Sequence, residues 1–282
     1  TKAIEMVAAS KMKKAQQQAL KGRPYINKLK EIVADLIHGS EPRLSHPLLE
    51  IRKKVKNAGY IFITANRGLC GAFNTNVSRT MLEILNEKNT QQEIVITVGR
   101  KGRQVMERIG KKVLADFESL GDKPGYLETL GISKVIVDDF LHGKLDEVHL
   151  VYNHFYSTMT QKPAVIQLLP IGSDVALAES ASGPSGSVLH EGFAKSKSKR
   201  EYIFEPNKEL LLDELLQRYV ETIVYQTVLE SVASEHSARM MAMRQASDNA
   251  HDIVSGLTLH YNKKRQEKIT KEILEVVAGS SN

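Results

Sequence analysis

The last seventy or so residues of the chain, from about Asn207 to Ala278, contain no proline and a single glycine, Gly256. Apolar residues and alanines recur there at three- and four-residue intervals, which predicts one uninterrupted α-helix. At ~1.5 Å per residue this helix is ~105 Å long, whereas a compact domain made from the middle of the chain is roughly 40 Å across. The helix therefore overshoots its own domain, and we expect its apolar face to be buried against something else.

Small side chains recur every fourth residue along this helix, at Ser234, Ala238, Ala242, Ala246 and Ala250. Such a row allows a second backbone to approach closely, although alanine is also the best helix former. Because the start of the chain predicts another helix, we expect an antiparallel coiled coil of the first and last helices. The C-terminal end of the longer helix should then project alone.

The first 38 or so residues predict that other helix, with a kink at Gly22 and Pro24 because proline costs ~3 kcal/mol inside a helix. Lysines outnumber acidic residues there, and they contribute to a net charge of +6. A basic helix of this kind indicates an acidic partner: nucleic acid, an anionic membrane surface or an acidic protein. The chain begins at Thr1 inside the helical pattern, so we expect further residues before it.

The middle of the chain alternates predicted strands with predicted helices, an order typical of a mostly parallel sheet with helices on its faces. The strands are expected at 60–65, 93–99 and 112–117, and the helices at 75–87, 101–109 and 132–141. Two further strands at 147–155 and 164–171 predict a hairpin and an antiparallel edge, and 47–56 predicts a short helical piece.

The fold class is therefore α/β: a long antiparallel coiled coil of the terminal helices with an inserted Rossmann-like, mostly parallel domain. We predict three domains: 1–57 for the first helix and its connector, 58–206 for the α/β domain, and 207–282 for the last helix. The segment 173–200 is rich in Ser, Gly and Lys, which predicts a mobile loop within the α/β domain.

The turn after the first strand, N-R-G-L-C-G-A-F-N, is the most enzyme-like feature of the sequence. A glycine loop between a strand and a helix can offer N–H groups to a phosphate, and Arg100 and Arg103 would suit a 2′-phosphate. The dinucleotide fingerprint is incomplete, however, because only Gly68 and Gly71 are present and no acidic residue ends the second strand. A plain tight turn is the simpler interpretation, and no P-loop motif occurs in the sequence.

No catalytic residue, cofactor site or metal site is predicted. Cys70 is the only cysteine, which excludes an internal disulfide and a cysteine-built zinc site. A nearby helix N-terminus can lower a thiol pKa, but Cys70 has no histidine near it in sequence, so we do not expect a nucleophile. No apolar run approaches the ~20 residues that a membrane-spanning helix needs.

Three longer motifs remain: I-E-M-V-A-A-S-K-M near the start, N-R-G-L-C-G-A-F-N in the first turn and Y-N-K-K-R-Q-E-K-I-T-K-E-I-L-E-V-V-A-G near the end. Together they resemble one family, the gamma subunit of bacterial F-type ATP synthases. The resemblance covers nearly the whole chain in the same order. It implies a non-catalytic rotary central stalk that couples proton-driven rotation of the c-ring to ATP synthesis and hydrolysis on the beta subunits.

The same resemblance implies the partners of the chain. These are the hexameric ring of alpha and beta subunits, the epsilon subunit and the membrane c-ring, with one copy of this chain per complex. It implies a peripheral place on the cytoplasmic face of the bacterial plasma membrane. No nucleic acid, cofactor or membrane span of its own is expected.

Several residues match family positions that contact partners. Those matching contacts with loops of the beta subunits, or implicated in coupling, are Arg239, Arg265, Gln266, Thr270 and Glu272. Those on the helix expected to pass the acidic helix-turn-helix lever of beta are Lys11, Lys13, Lys14, Lys21 and Arg23. Those in the segment that contacts the c-ring are Tyr202, Phe204 and Glu205, although the family often has tyrosine where this chain has Phe204.

Two other functions remain open on the residues alone. The first is a basic coiled-coil protein that binds nucleic acid, which is weakened by the lack of aromatic residues among the basic ones and of any known reader motif. The second is a nucleotide-dependent enzyme with helical extensions, which is weakened by the incomplete glycine fingerprint.

Overall fold

A computed structural model of the protein describes residues 1–38, 46–52, 54–87, 91–118, 120–171 and 207–280. The predicted mobile loop 173–200 lies outside these residues. Within them, the helices are α1 (Lys2–His38), α2 (Phe73–Glu87), α3 (Arg100–Arg108), α4 (Tyr126–Leu141) and α5 (Lys208–Ser280). The strands are β1 (Asn57–Ile63), β2 (Gln92–Val98), β3 (Val113–Phe117), β4 (Glu147–Phe155) and β5 (Gln161–Leu169).

The five strands form one sheet in the order β3-β2-β1-β4-β5. The first four are parallel to one another, and β5 runs antiparallel to β4 at the edge. This confirms the predicted α/β class with an antiparallel edge. β1 and β4 are buried along almost their whole length, as expected for strands covered on both faces.

The short helix predicted over 47–56 is wrong. Only Pro47–Leu49 forms a single turn of 3-10 helix, and Glu50 is already extended. The carboxylate of Asp146 accepts hydrogen bonds from the backbone N–H groups of Lys56 and Asn57, both at 2.8 Å. These bonds hold the approach to β1 in an extended path and leave no room for a second helical turn.

Each face of the sheet has its own apolar layer. On one face, Tyr60, Phe62 and Val151 pack against α2 and α3 through residues such as Met81 and Met106. On the other face, the sheet packs against α4 and also against the second half of α1 and the first part of α5. The second half of α1 and the first part of α5 therefore form a layer of the α/β domain, and they are not separate from it.

Helices α1 and α5 run antiparallel. Gln18 and Ala19 meet Tyr225 and Gln226, with Gln18 Nε2 at 2.6 Å from Tyr225 Oη and Gln226 Nε2 donating to Ala19 O at 3.1 Å. Nearer the start of α1, residues 3–11 share a cleft with residues 228–239 of α5. Gly22 permits the close approach, because a Cβ there would lie 2.9 Å from Gln226 Oε1. α1 passes through Pro24 as one helix.

Helix α5 contains 73 residues, a length of about 110 Å at the usual rise. Asn207 caps it, since its Oδ1 accepts the N–H of Leu210 at 2.8 Å. From residue 248 to residue 276 every side chain is exposed, so in the described chain this end projects alone.

The row of small residues on α5 has a different role from the one predicted. Ala238 packs against Ala65, Cys70 and Phe73 in the turn between β1 and α2, and a Cβ at Gly71 would lie 3.9 Å from the Cβ of Ala242. At Ala238 and Ala242, the backbone that approaches α5 is therefore the turn between β1 and α2, and not that of α1.

Candidate functional site: the projecting helix and its base

The projecting end of α5 carries exposed apolar side chains at helical spacing. Ile253, Leu257, Tyr261, Ile269 and Ile273 are each about half exposed or more and recur every fourth residue, with Arg265 in the remaining place of the row. Burying such side chains is worth ~1.5–3 kcal/mol each. An exposed apolar row on one helix, interrupted here only by Arg265, is a surface for association with other chains.

Four of the predicted partner-contacting residues lie on this end. Arg265, Gln266 and Thr270 are exposed, and no ion pair to Arg265 occurs among the described residues. Glu272 lies 3.8 Å from Lys268, one turn before it. Their polar groups are thus directed to solvent or to weak local pairs, which leaves them available to a partner.

Arg239 does not join these four residues. It lies roughly 40 Å nearer the α/β domain along the helix axis, and its side chain is only 12% exposed. Its guanidinium bonds within the chain: Nη2 lies 2.6 Å from Glu235 Oε1 and 3.4 Å from the carbonyl oxygen of Gly68. The structure therefore directs Arg239 inward.

The basic residues predicted to meet a partner on α1 also include both exposed residues and residues that are bonded or half-buried within the chain. Lys13, Lys14 and Lys21 are exposed, whereas the ammonium group of Lys11 bonds to Asp122 Oδ2 at 2.5 Å. Arg23 is half-buried, and its Nε has no hydrogen-bond partner among the described residues. The residues expected to meet the c-ring, Tyr202, Phe204 and Glu205, lie outside the described residues.

The turn after β1 bonds to the helix that follows β2. The first N–H groups of α3 are all bonded: Arg100 N to Asn66 Oδ1 at 2.9 Å, Lys101 N to Ala65 O at 3.2 Å and Gly102 N to Thr64 Oγ1 at 2.7 Å. A phosphate at a helix N-terminus needs such groups free. These bonds leave no free N–H group for a phosphate at the start of α3, which counts against a nucleotide site beside Arg100 and Arg103.

Cys70 lies in the turn between β1 and α2 and is buried, and its sulfur accepts a hydrogen bond from Asn74 Nδ2 at 3.2 Å. Burial raises the pKa of the Cys70 thiol, so the thiolate that a nucleophile requires is disfavoured. Among the described residues, no group of three or more His, Cys, Asp or Glu side chains is placed to hold a metal ion. No described helix is both long and apolar enough to cross a membrane.

Comparison with known proteins decides the family. Residues 1–282 match the family model described as ATP synthase. An ATP synthase gamma chain from Dehalococcoides mccartyi is 45% identical over 282 residues, which is 100% of this chain and 92% of that relative. Another, from Bordetella pertussis, is 43% identical over 284 residues and is covered to 93%. The chain belongs to the ATP synthase gamma-chain family.

Solved structures similar to this chain come from mitochondrial ATP synthases. A chain from the central stalk and c-ring of Tetrahymena thermophila mitochondrial ATP synthase has a TM-score of 0.63 at 24% identity, covering 87% of this chain and 98% of its own length. One from Euglena gracilis mitochondrial ATP synthase, solved with OSCP, F1 and the c-ring, has a TM-score of 0.58 at 20% identity and coverages of 100% and 95%. At these identities the likeness shows the fold.

Family membership confirms the prediction of a stalk subunit of an ATP synthase that is not catalytic by itself. The polar contacts between the α/β domain and the shaft were not predicted, and their acidic members are Asp122, Glu221 and Glu230. Glu230 could have been found, because a charged residue inside the apolar run V-Y-Q-T-V-L-E-S-V-A indicates a buried partner. Asp122 lies in a loop and gives no such signal.

Proposed function

We propose that this gamma chain is the rotary central stalk of a bacterial F-type ATP synthase. It couples proton-driven rotation of the membrane c-ring to ATP synthesis and hydrolysis on the beta subunits. The single observation that carries the proposal is the projecting end of α5, where 248–276 is exposed and bears an apolar row. A bare apolar helix of this length is stable in water only when other chains surround it.

The surrounding chains are the alpha and beta subunits, arranged as a ring with the projecting end inside it. Arg265 and Gln266, with Thr270 and Glu272 on the following turn, contact loops of beta. Arg265 supports this role because it interrupts the apolar row with a charge that has no ion pair within the described part of the chain and can reach an acceptor on a partner. Arg239 influences the same coupling from inside the chain, through its bonds to Glu235 and the Gly68 turn.

At the base of the shaft, exposed cations of α1 pass the acidic lever of the beta subunits. Lys13, Lys14 and Lys21 are placed for this, with Arg23 beside them and Lys11 engaged with Asp122. Exposed ion pairs are worth only ~0–1 kcal/mol each. Such contacts would form and break as the shaft turns without holding it at one angle.

The α/β domain lies toward the membrane, where it contacts the epsilon subunit and the c-ring, with Tyr202, Phe204 and Glu205 in the c-ring contact. The complex is peripheral on the cytoplasmic face of the bacterial plasma membrane, and one gamma chain serves each complex. The domain limits 1–57, 58–206 and 207–282 separate the shaft helices from the α/β domain by function, although the second half of α1 and the first part of α5 pack on the sheet.

Rotation of a label on the α/β domain tests this function directly. Arg108 ends α3 and is exposed, so Arg108→Cys offers an attachment point, while the native Cys70 is buried. In a complex immobilised through its beta subunits, ATP should drive rotation of a bead attached there in one direction. The matched control is the unsubstituted chain, which should hold no bead.

Two results would contradict the proposal. One is a bead that stays fixed while the same complex hydrolyses ATP. The other is a purified complex in which beta and gamma are present in equal numbers, since one shaft inside a ring requires three beta subunits for each gamma chain.

A further inference from the structure

We infer that Asp122 is the positioning residue that bonds the α/β domain to α1 and sets it against α5. It lies in the loop between β3 and α4, at the carboxyl end of the sheet. Its Oδ2 accepts a hydrogen bond from Lys11 Nζ at 2.5 Å, and its Oδ1 lies 3.6 Å from His236 Nε2. This carboxylate therefore bonds to α1 and lies against α5, where the buried Nε2 of His236 has no hydrogen-bond partner among the described residues.

The contacts of His236 direct it toward this carboxylate. The His236 side chain is buried, and Arg239 Nη1 lies 3.2 Å from its Nδ1. Because a guanidinium can only donate, Nδ1 is the acceptor, and the proton of the neutral ring is on Nε2. Burial and the charge of Arg239 lower the pKa of His236 to about 4, which keeps the ring neutral. Its Nε2–H lies 3.6 Å from Asp122 Oδ1, a distance longer than a hydrogen bond.

A second branch reaches the sheet through Arg239. Its Nη2 donates to the carbonyl of Gly68, in the turn after β1, and pairs with Glu235. The side chains of Glu235 and Arg239 are only 15% and 12% exposed. We call Lys11, Asp122, Glu235, His236 and Arg239 the junction cluster. It joins α1, α5 and the turns that follow β1 and β3.

The inference rests on the proposed rotor function, because a rotor transmits torque through this junction. The torque pushes the α/β domain to slide across the surface of the shaft. Apolar packing is non-directional, so it opposes separation of the domain from the shaft more than it opposes sliding. Hydrogen bonds are directional, and sliding would break the half-exposed bond between Lys11 and Asp122 and the bond from the largely buried Arg239 to the carbonyl of Gly68. The junction cluster thus carries torque between the domain and the shaft, and Lys11 acts on Asp122 and not on an acidic partner.

A double-mutant cycle in the assembled complex tests this assignment. The variants are Asp122→Asn, Lys11→Met and the two together, in complexes reconstituted into sealed vesicles. The measured quantity is the ratio of ATP-driven proton pumping to ATP hydrolysis. Subunit content is measured for each preparation, so that a loss of assembly is not counted as a loss of coupling. Asp138→Asn, an exposed acid on α4, is the matched control.

If Lys11 and Asp122 act through their mutual contact, each single variant lowers the ratio roughly two- to fivefold, the range expected for a half-exposed ion pair. The double variant is then no worse than the worse single one. Asp138→Asn leaves the ratio unchanged.

Multiplied losses in the double variant would overturn the inference, since Lys11 would then act on a partner. Unchanged ratios in both single variants would overturn it as well. In either case the pumping of the unsubstituted complex still supports the rotor. A failure of that complex to pump would instead remove the proposed function, and the inference with it.

Discussion

His154 and Glu230 form a buried hydrogen bond that joins the sheet to the long helix, with Nδ1 of His154 at 2.9 Å from Oε2 of Glu230. Both side chains are about 5% exposed or less. β4 contributes the histidine and α5 the carboxylate, so the pair fixes the position of α5 along the central strands. Glu230 precedes the junction cluster along α5, and its bond to His154 is a separate contact between the domain and the shaft.

Replacing this carboxylate should weaken the whole chain. Glu230→Ala leaves a buried ring nitrogen without its charged partner, and we expect the free energy of unfolding to fall by about 2–3 kcal/mol. Urea denaturation of the full chain measures the change. Glu267→Ala is the matched control, because its pair with Lys264 is exposed and should contribute less than about 1 kcal/mol. Equal losses in the two variants would show that the buried pair has no special role.

A glycine at the end of β2 gives a second test. Gly99 has φ of +99°, and a Cβ there would lie 2.2 Å from the carbonyl oxygen of Thr64. Gly99→Ala therefore combines backbone strain with a clash against main chain, and we expect a loss of at least about 2 kcal/mol in the free energy of unfolding.

The control for Gly99 is another glycine of positive φ that lacks the clash. Gly110 has φ of +72° and nothing within 4 Å of an added Cβ, so Gly110→Ala should cost about 1 kcal/mol from strain alone. Thermal or urea unfolding of the two variants compares them. A Gly99 variant as stable as the Gly110 variant would mean that β1 and α3 can move apart without cost.

Most of the fold could be predicted from sequence because its signals are local. The absence of proline after Asn207, the apolar strands and the hairpin spacing each depend on neighbouring residues alone. The short helix predicted after Pro47 failed because Asp146, far along the chain, holds that segment extended. A contact between distant residues leaves no periodicity in the sequence.

The same reason limits prediction of the site. The exposed residues of the projecting end, such as Arg265, keep the surroundings that the helical pattern predicts. Lys11 and Arg239 do not, because their partners Asp122 and Gly68 are brought to them only by the fold. A basic residue on a predicted helix is equally able to face solvent, a partner or its own domain, and sequence spacing cannot separate these outcomes.

Acid should weaken the approach to β1 through Asp146. Burial disfavours the charged carboxylate, but hydrogen bonds from the N–H groups of Asn57 and Lys56 and from Arg52 outweigh it, so the pKa of Asp146 lies below its ordinary value. The unfolded chain then binds the proton more tightly than the folded chain does. The stability that Asp146 contributes is therefore present above about pH 4 and is lost as the pH falls below it.

Asp146→Asn tests this dependence. The variant should be less stable than the unsubstituted chain at neutral pH, and its stability should fall less between about pH 5 and pH 3. Urea midpoints over that range measure both effects. Asp138→Asn, an exposed control, should retain the full acid dependence. A parallel decline in Asp146→Asn and the unsubstituted chain would remove Asp146 as a source of the acid sensitivity.

The projecting end should matter for coupling but not for folding. Arg265 and Gln266 are exposed and lie far beyond the α/β domain, so Arg265→Ala and Gln266→Leu should change the free energy of unfolding by less than about 0.5 kcal/mol. In the assembled complex we expect either variant to lower coupled ATP synthesis or the yield of complex, because each substitution leaves a polar group on a partner loop without its hydrogen-bond partner.

The matched control is Lys264→Ala, next to Arg265 and engaged in an exposed local pair with Glu267. This variant should retain both synthesis and assembly. Normal synthesis and assembly in both variants would exclude Arg265 and Gln266 from the contact with beta and leave the apolar row as the only surface of this end that meets the ring.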